Sequence, residues 1–429
     1  MNCAYLMSQM KTLRFQIYVF SLLSTGLALA GSDPKSDCSR QLTLLWSAAP
    51  KAYYEPDLAP SLSISRDGSV AAIIGRPTDP KVDIFHFNQK NFKQPELVAM
   101  KSIVPLDPDG NGLEAVAVSM ANEAGVNAIA VSTGNLIEVH RTHSPEIVTL
   151  ESGIDRATAL RFMNGPSRLA STSGNSGVIW DLVSRKPLFH LSGAVPQAKH
   201  PTAIRFLEFA NNPWLMASAS NHQVRVWEPD PTLDSKTSHY TSSRGIEFSN
   251  EIEAFAFSGS GDIAVSNAQG DVTKLSRKAP FSYETSWISQ NEGNRPAQLF
   301  FFKDDEVLAQ RFESGEIEFI QSSNGRIRVV IPADAKDKAT SMMSVQQGNS
   351  LLTGHESGMV RLWSLVPPPS GRAHARLIKQ MSGPTAAIRS IQPLPGEFNQ
   401  SEWVERFVTT AEDGTIHLGS IQKKTSGGF

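Results

Sequence analysis

The sequence predicts an all-β protein, a closed β-propeller of about eight four-stranded blades. Three observations predict it. One unit recurs along the chain: an alternating apolar segment, a polar turn, an Ala/Ser-rich apolar segment, a tight turn, then a third alternating segment. Eight units fit between Pro60 and Gln422, 363 residues at about 45 each, within the roughly 40–45 residue period of propeller blades. Helical periodicity is absent. Third segments such as Val224-Arg225-Val226-Trp227 and Ile317-Glu318-Phe319-Ile320 alternate instead with the period of two that a half-buried strand requires. A ring of seven follows if the weaker units are miscounted.

The clearest units are Leu160–Leu182, Ile204–Glu228 and Met342–Leu365, with Arg406–Ile421 matching at its turn. Weaker ones are Ser61–Phe87, Ala115–His140, Ile252–Leu275 and Leu299–Ile320. The expected boundaries are an export signal at 1–30, an N-terminal segment at 31–59, the propeller at 60–422 and a short tail at 423–429.

Four stretches carry a family resemblance: LASTSGNSGVIWDL, MASASNHQVRVWE, LLTGHESGMVRLWSL and TTAEDGTIHLGS. Each resembles the WD40 blade signature, in which a Ser/Thr-rich strand meets a tight turn and a strand ending in Trp-Asp. In that family a His before the first strand, a Ser/Thr on the second, a turn Asp and the Trp form a hydrogen-bonded tetrad. The resemblance assigns blade positions to Trp180, Asp181, His200, Trp227, Trp363 and Asp413. The pattern is degenerate. Only Trp180 is followed by Asp, the turn position reads Asn221 and Ser357, and Gly419 stands at the Trp position beside Asp413. The resemblance further implies that the short segment Gln41–Trp46 completes the last blade and closes the ring, which removes exposed sheet edges.

The first thirty residues predict export. Lys11 and Arg14 precede the apolar run Phe15–Ala30, which ends in Ala28-Leu29-Ala30, the arrangement a signal peptidase reads. Cleavage is expected before Gly31, placing the protein in the periplasm or outside the cell with no membrane span. An uncleaved N-terminal anchor is the alternative. Cys38 is then the lone thiol, so no intrachain disulfide is expected.

Composition excludes several function classes. The formal charge of −2, with no cluster of Lys and Arg, argues against nucleic-acid binding, which needs concentrated positive charge. His355-Glu356 lacks the second His of a zinc helix, and no nucleophile elbow or phosphate loop is present. No cofactor and no catalysis are expected. Asp107, Asp109 and Asn111 open like a calcium loop, but Val118 stands where a bidentate Glu would close it, so an ordinary turn is expected. Recognition of a protein partner is expected from loops on the rigid scaffold, with Ser192–Lys199, Pro229–Asn250 and Pro367–Arg376 as candidates. His239, Tyr240 and Arg244 supply binding-type side chains in the second loop. A monomeric scaffold is expected. The competing reading is an enzyme or small-ligand binder working in the central channel.

Overall fold

The structure is a computed structural model. It describes residues 40–48, 62–65, 70–74, 81–87, 97–104, 113–119, 127–133, 136–142, 144–151, 157, 159–163, 166–173, 176–192, 206–210, 215–219 and 222–229. It further describes 240–242, 245–291, 294–302, 305–345, 350–365, 373–383, 385–398, 402–413 and 415–424. The propeller lies in the compact unit Gln41–Phe429; of the other unit, Met1–Arg40, only Arg40 is among the described residues. The expected export signal, Cys38, the calcium-like loop Asp107, Asp109 and Asn111, and His200, His239 and Arg244 lie outside the described residues. No helix among the described residues is long and apolar enough to cross a membrane.

Eight antiparallel sheets form the ring. Blade 1 holds Leu62–Ile64, Val70–Ile74, Val82–Phe87 and Leu97–Ile103; blade 2 holds Leu113–Val118, Ala128–Thr133, Leu136–Arg141 and Ser144–Glu151. Blade 3 holds Ala159–Phe162, Arg168–Ser173, Ser176–Asp181 and Lys186–Ser192. In blade 4, Phe206–Phe209, Met216–Ala219 and Gln223–Pro229 are followed by an outer strand in two pieces, Tyr240–Ser242 and Ile246–Glu247. Blade 5 holds Ile252–Phe257, Ile263–Asn267, Val272–Ala279 and Ser282–Ser289; blade 6 holds Pro296–Phe302, Val307–Phe312, Ile317–Gln321 and Ile327–Ile331. Blade 7 holds Ala339–Val345, Ser350–His355, Met359–Ser364 and Arg376–Ser382.

Blade 8 closes the ring. Its own chain supplies Ile388–Phe398, Glu402–Ala411 and Ile416–Lys424, and the N-terminal strand Arg40–Ala48 lies beside the last of these. The segment expected at Gln41–Trp46 therefore fills the outer place. Seven of the repeat units read in the sequence coincide with the first three strands of a blade, with the fourth strand in the variable stretch after them. Arg406–Ile421, in contrast, covers only the second and third strands of blade 8.

The core is a succession of layers between consecutive blades. Ala117, Ala130, Val139 and Leu150 of blade 2 pack on Leu169, Val178 and Trp180 of blade 3. Met163, Ala170 and Ile179 of blade 3 pack on Met216 and Trp227 of blade 4. The same holds between blades 6 and 7 through Phe302, Phe319 and Trp363, and between 7 and 8 through Leu352, Leu362 and Phe407. Both faces of the sheets of blades 2 to 7 are thus covered. Fully covered strands such as Ala128–Thr133 and Ser350–His355 are buried at every position. Small residues at Ala170, Ala217, Ala264 and Ala309 let neighbouring sheets approach there, and all four are buried.

Candidate functional site

Three blades are held by one motif. Trp180, Trp227 and Trp363 lie on third strands and are 5, 2 and 9% exposed. Each faces the preceding blade, and each indole N–H reaches back to its own second strand: Trp180 to Ser171 Oγ at 2.9 Å, Trp227 to Ser218 Oγ at 3.1 Å, Trp363 to Thr353 Oγ1 at 2.9 Å. The ring supplies buried area between blades, and the hydroxyl satisfies the only donor an indole carries.

Blade 7 extends this pair into a relay. Thr353 Oγ1 lies 2.8 Å from His355 Nε2, and His355 Nδ1 lies 2.9 Å from the carbonyl oxygen of Asp337. Donor chemistry fixes the direction, because an indole only donates and a carbonyl only accepts. Trp363 donates to Thr353, whose hydroxyl donates to Nε2, while the Nδ1 proton is given to Asp337. This arrangement suits a neutral imidazole protonated at Nδ1. Burial pushes its pKa below the usual histidine range, further assisted by Arg361 and opposed by the Asp337 carbonyl and the Asp337 and Asp334 carboxylates. Arg361 holds both acids, Asp337 at 2.7 Å and Asp334 at 3.3 Å, and Asp337 also accepts the Ser357 amide at 2.9 Å. The relay departs from the family tetrad: Asp337 stands before the first strand, where the family carries His, and His355 ends the second strand, two residues before Ser357 at the turn position.

The other two acidic blade positions serve their own turns. Asp181 accepts the Val183 amide at 3.0 Å and the Ser184 hydroxyl at 2.8 Å. Burial raises its pKa, but the Ser184 hydroxyl, the Val183 and Ser184 amides and the Arg168 charge prevail and lower it. Asp413 accepts the Thr415 amide at 2.9 Å and hydroxyl at 2.6 Å. Both are local turns in which an Asp side chain satisfies the backbone two residues on.

In blades 4, 5 and 6, carboxylates tie neighbouring blades. Glu228, 5% exposed, ends the third strand of blade 4 and takes a forked pair from Arg277 of blade 5, at 3.2 and 2.6 Å, plus the Phe281 amide at 3.3 Å. The Glu228 bond raises the Arg277 pKa against the effect of burial. Asp262 accepts the Arg277 amide at 2.9 Å and pairs with buried Lys274 at 2.7 Å. Burial and the nearby Glu228 charge push the Tyr283 hydroxyl up, and it donates to the Gly261 carbonyl at 3.2 Å. Asp305 of blade 6 accepts two successive amides of blade 5, Gly259 at 3.0 Å and Ser260 at 2.7 Å. Trp287 of blade 5 donates to the Ser322 carbonyl of blade 6 at 2.8 Å. Gly325, at φ 71°, lies against that indole, where a Cβ would stand 3.0 Å from the ring.

Of the expected binding residues only Tyr240 is placed, by its backbone, in the outer strand of blade 4 opposite Pro229. The connection Pro229–Asn250 thus carries that blade's outer edge. The connection ending at Arg376 carries a further short strand, Ala373–His374. Among the described residues no group of three or more His, Cys, Asp or Glu is disposed to hold a metal. Sequence reasoning missed Asp337, Arg361, Glu228 and Arg277. Asp337 was signalled by its place two residues before a first strand; the long-range Glu228–Arg277 pair left no local signal.

At the level of fold the chain resembles known propellers. A chain of the crystal structure of the mitotic checkpoint complex superposes with a TM-score of 0.52 at 12% identity, covering 91% of this chain and 97% of that one. Chaetomium thermophilum Sqt1, solved bound to the N-terminus of the ribosomal protein L10, gives 0.59 at 14% identity, covering 83% and 95%. No protein-family model and no curated protein sequence matches the chain. Ring and blade order make the fold an eight-bladed β-propeller, and the indole–hydroxyl pairs resemble the WD40 blade pattern.

Proposed function

We propose that this chain is an exported, non-catalytic scaffold of the WD40 family, acting as a monomeric propeller that binds a protein partner through one of its faces. One observation carries the reading: the buried charges of blades 4, 5 and 7 are spent on holding blades and turns together, as with Glu228–Arg277, Lys274–Asp262 and Arg361–Asp337. Such a ring is a rigid platform whose turns and connections are left to recognise others. Protein binding is also what the L10 complex of Sqt1 displays on a similar fold. Export rests on the basic, apolar and small-residue order of the first thirty residues.

The test is affinity purification of the tagged mature protein from its native envelope fraction after mild crosslinking. One recurrent stoichiometric protein partner is the expected result. Recovery of no protein, together with a small molecule copurifying with the propeller, would overturn the scaffold reading in favour of a ligand or substrate in the channel.

A further inference from the structure

The outer strand of blade 6 is written differently from those of blades 2, 5 and 7. Ser144–Glu151, Ser282–Ser289 and Arg376–Ser382 are mostly exposed. Ile327–Ile331 reads Ile-Arg-Val-Val-Ile, and Val329, Val330 and Ile331 are buried. The cover comes from blade 7. Its last connection crosses to blade 6 and lays Ala373–His374 parallel to the outer strand, pairing Ala373 with Val329 and His374 with Val330. The Ala375 amide then donates to the Val330 carbonyl at 2.8 Å. This is strand addition to a sheet edge, made in cis.

The described pairing along this edge covers only Val329 and Val330. Among the described residues, pairing on that side begins at Val329, and no strand lies beside Ile327 or Arg328. The Arg328 Nε is buried and meets no acceptor among the described residues, while Nη1 reaches only Gln321 Oε1 at 3.4 Å. A buried guanidinium N–H without an acceptor is costly, and a carboxylate offered to its fork is the strongest remedy. Exposed Arg326 stands two residues before it. The described segment that covers the edge in cis brings no acid: residues 373–376 read Ala-His-Ala-Arg.

The geometry points to the outer edge of blade 6 as the docking place for an extended acidic segment of a protein partner. That segment adds as a strand along Ile327–Ile331, displaces Ala373–Ala375 and sets a carboxylate on Arg328. The inference rests on the protein-binding function proposed above and gives it an address and a chemistry.

The probes are a capped, fluorescently labelled hexapeptide of alternating Glu and Val, and its Lys/Val counterpart. Ala375→Pro removes the amide that holds the covering segment and should raise affinity for the acidic peptide about fivefold, the difference one neutral hydrogen bond supplies. Arg328→Gln should lower it about tenfold, the difference one charge-assisted bond supplies. The Lys/Val peptide should not saturate, and amide exchange should slow at 327–331 on binding. Equal affinity of the two peptides, protection elsewhere, or no binding by wild type and Ala375→Pro alike overturns the inference. Should Ala375→Pro fail to fold, the comparison of wild type with Arg328→Gln decides alone, and unchanged affinity overturns it. A partner crosslinked to other residues in the envelope experiment, with no peptide binding here, removes this address and leaves the scaffold function standing; no partner in either removes both.

Discussion

Phe407 lies directly opposite Gly419 across the second and third strands of blade 8, and its ring covers the place where other blades put an indole. Leu351 and Trp363 occupy the corresponding pair in blade 7. In blade 8 the aromatic has moved from the third strand to the second, and the third strand has given up its side chain to admit it. A Cβ on Gly419 would come within 2.8 Å of three carbons of the Phe407 ring. Gly419→Ala should therefore destabilise the protein, and Phe407→Ala should cost roughly 3–5 kcal/mol. Combining Phe407→Ala with Gly419→Trp should cost clearly less than the sum of the single changes by chemical denaturation. Strict additivity would show that the two positions do not share one space.

The three tryptophans divide into ring and donor. Trp227→Ala should lower the melting midpoint by the equivalent of roughly 3–5 kcal/mol, because it empties a closed layer between blades 3 and 4. Trp363→Phe keeps most of the ring and removes the proton given to Thr353, so it should cost less, about 1–3 kcal/mol. An unchanged midpoint for Trp227→Ala would contradict its burial.

The blade count, the three-strand units and the closing strand were legible in the sequence, because period and alternation are local properties of the chain. Trp180, Trp227 and Trp363 were legible as blade positions for the same reason. The relay from His355 to Asp337 was not, since the tetrad is recognised by residue type at each position, and here an acid stands before the first strand while the imidazole lies at the end of the second, outside the turn position. Nor was the rescue of Gly419 by Phe407: it depends on register across a hairpin, which no single-strand pattern contains. Glu228 and Arg277 meet 49 positions apart, and only the closure of blade 5 against blade 4 brings them together.

That pair makes a sharp prediction. Glu228 is buried, so Arg277→Ala leaves its charge without a counter-ion and should cost roughly 3–5 kcal/mol, whereas Glu228→Met with Arg277→Met should come near neutral. Chemical denaturation of the three variants checks it. A double variant as unstable as the single one would mean that the forked bond contributes specific stability which packing cannot replace.

Export predicts a mature protein beginning near Gly31. Intact-mass spectrometry of protein recovered from the envelope should show that start, and a mature form retaining Met1 would sink the proposal of a cleaved signal.

His355 ties stability to pH, and the sign follows from its environment. The charged and titratable groups facing it are Asp337, Asp334 and Arg361. Because burial lowers its pKa in the fold below the ordinary 6.5, the unfolded chain takes up the proton first as pH falls. The contribution of the neutral imidazole is therefore fully present above about pH 6.5 and is lost as pH drops from there towards the lower folded value. Protonation also gives Nε2 a proton directed at Thr353 Oγ1, which already receives the Trp363 indole, so the relay in blade 7 can no longer run in one direction. Wild type should lose at most about 1.4 kcal/mol per pH unit from this group below pH 6.5. His355→Asn should be less stable at pH 7.5, with a shallower decline down to pH 5. Parallel curves for the two proteins would show that His355 takes up its proton alike in the folded and unfolded chain, and that burial does not hold it neutral.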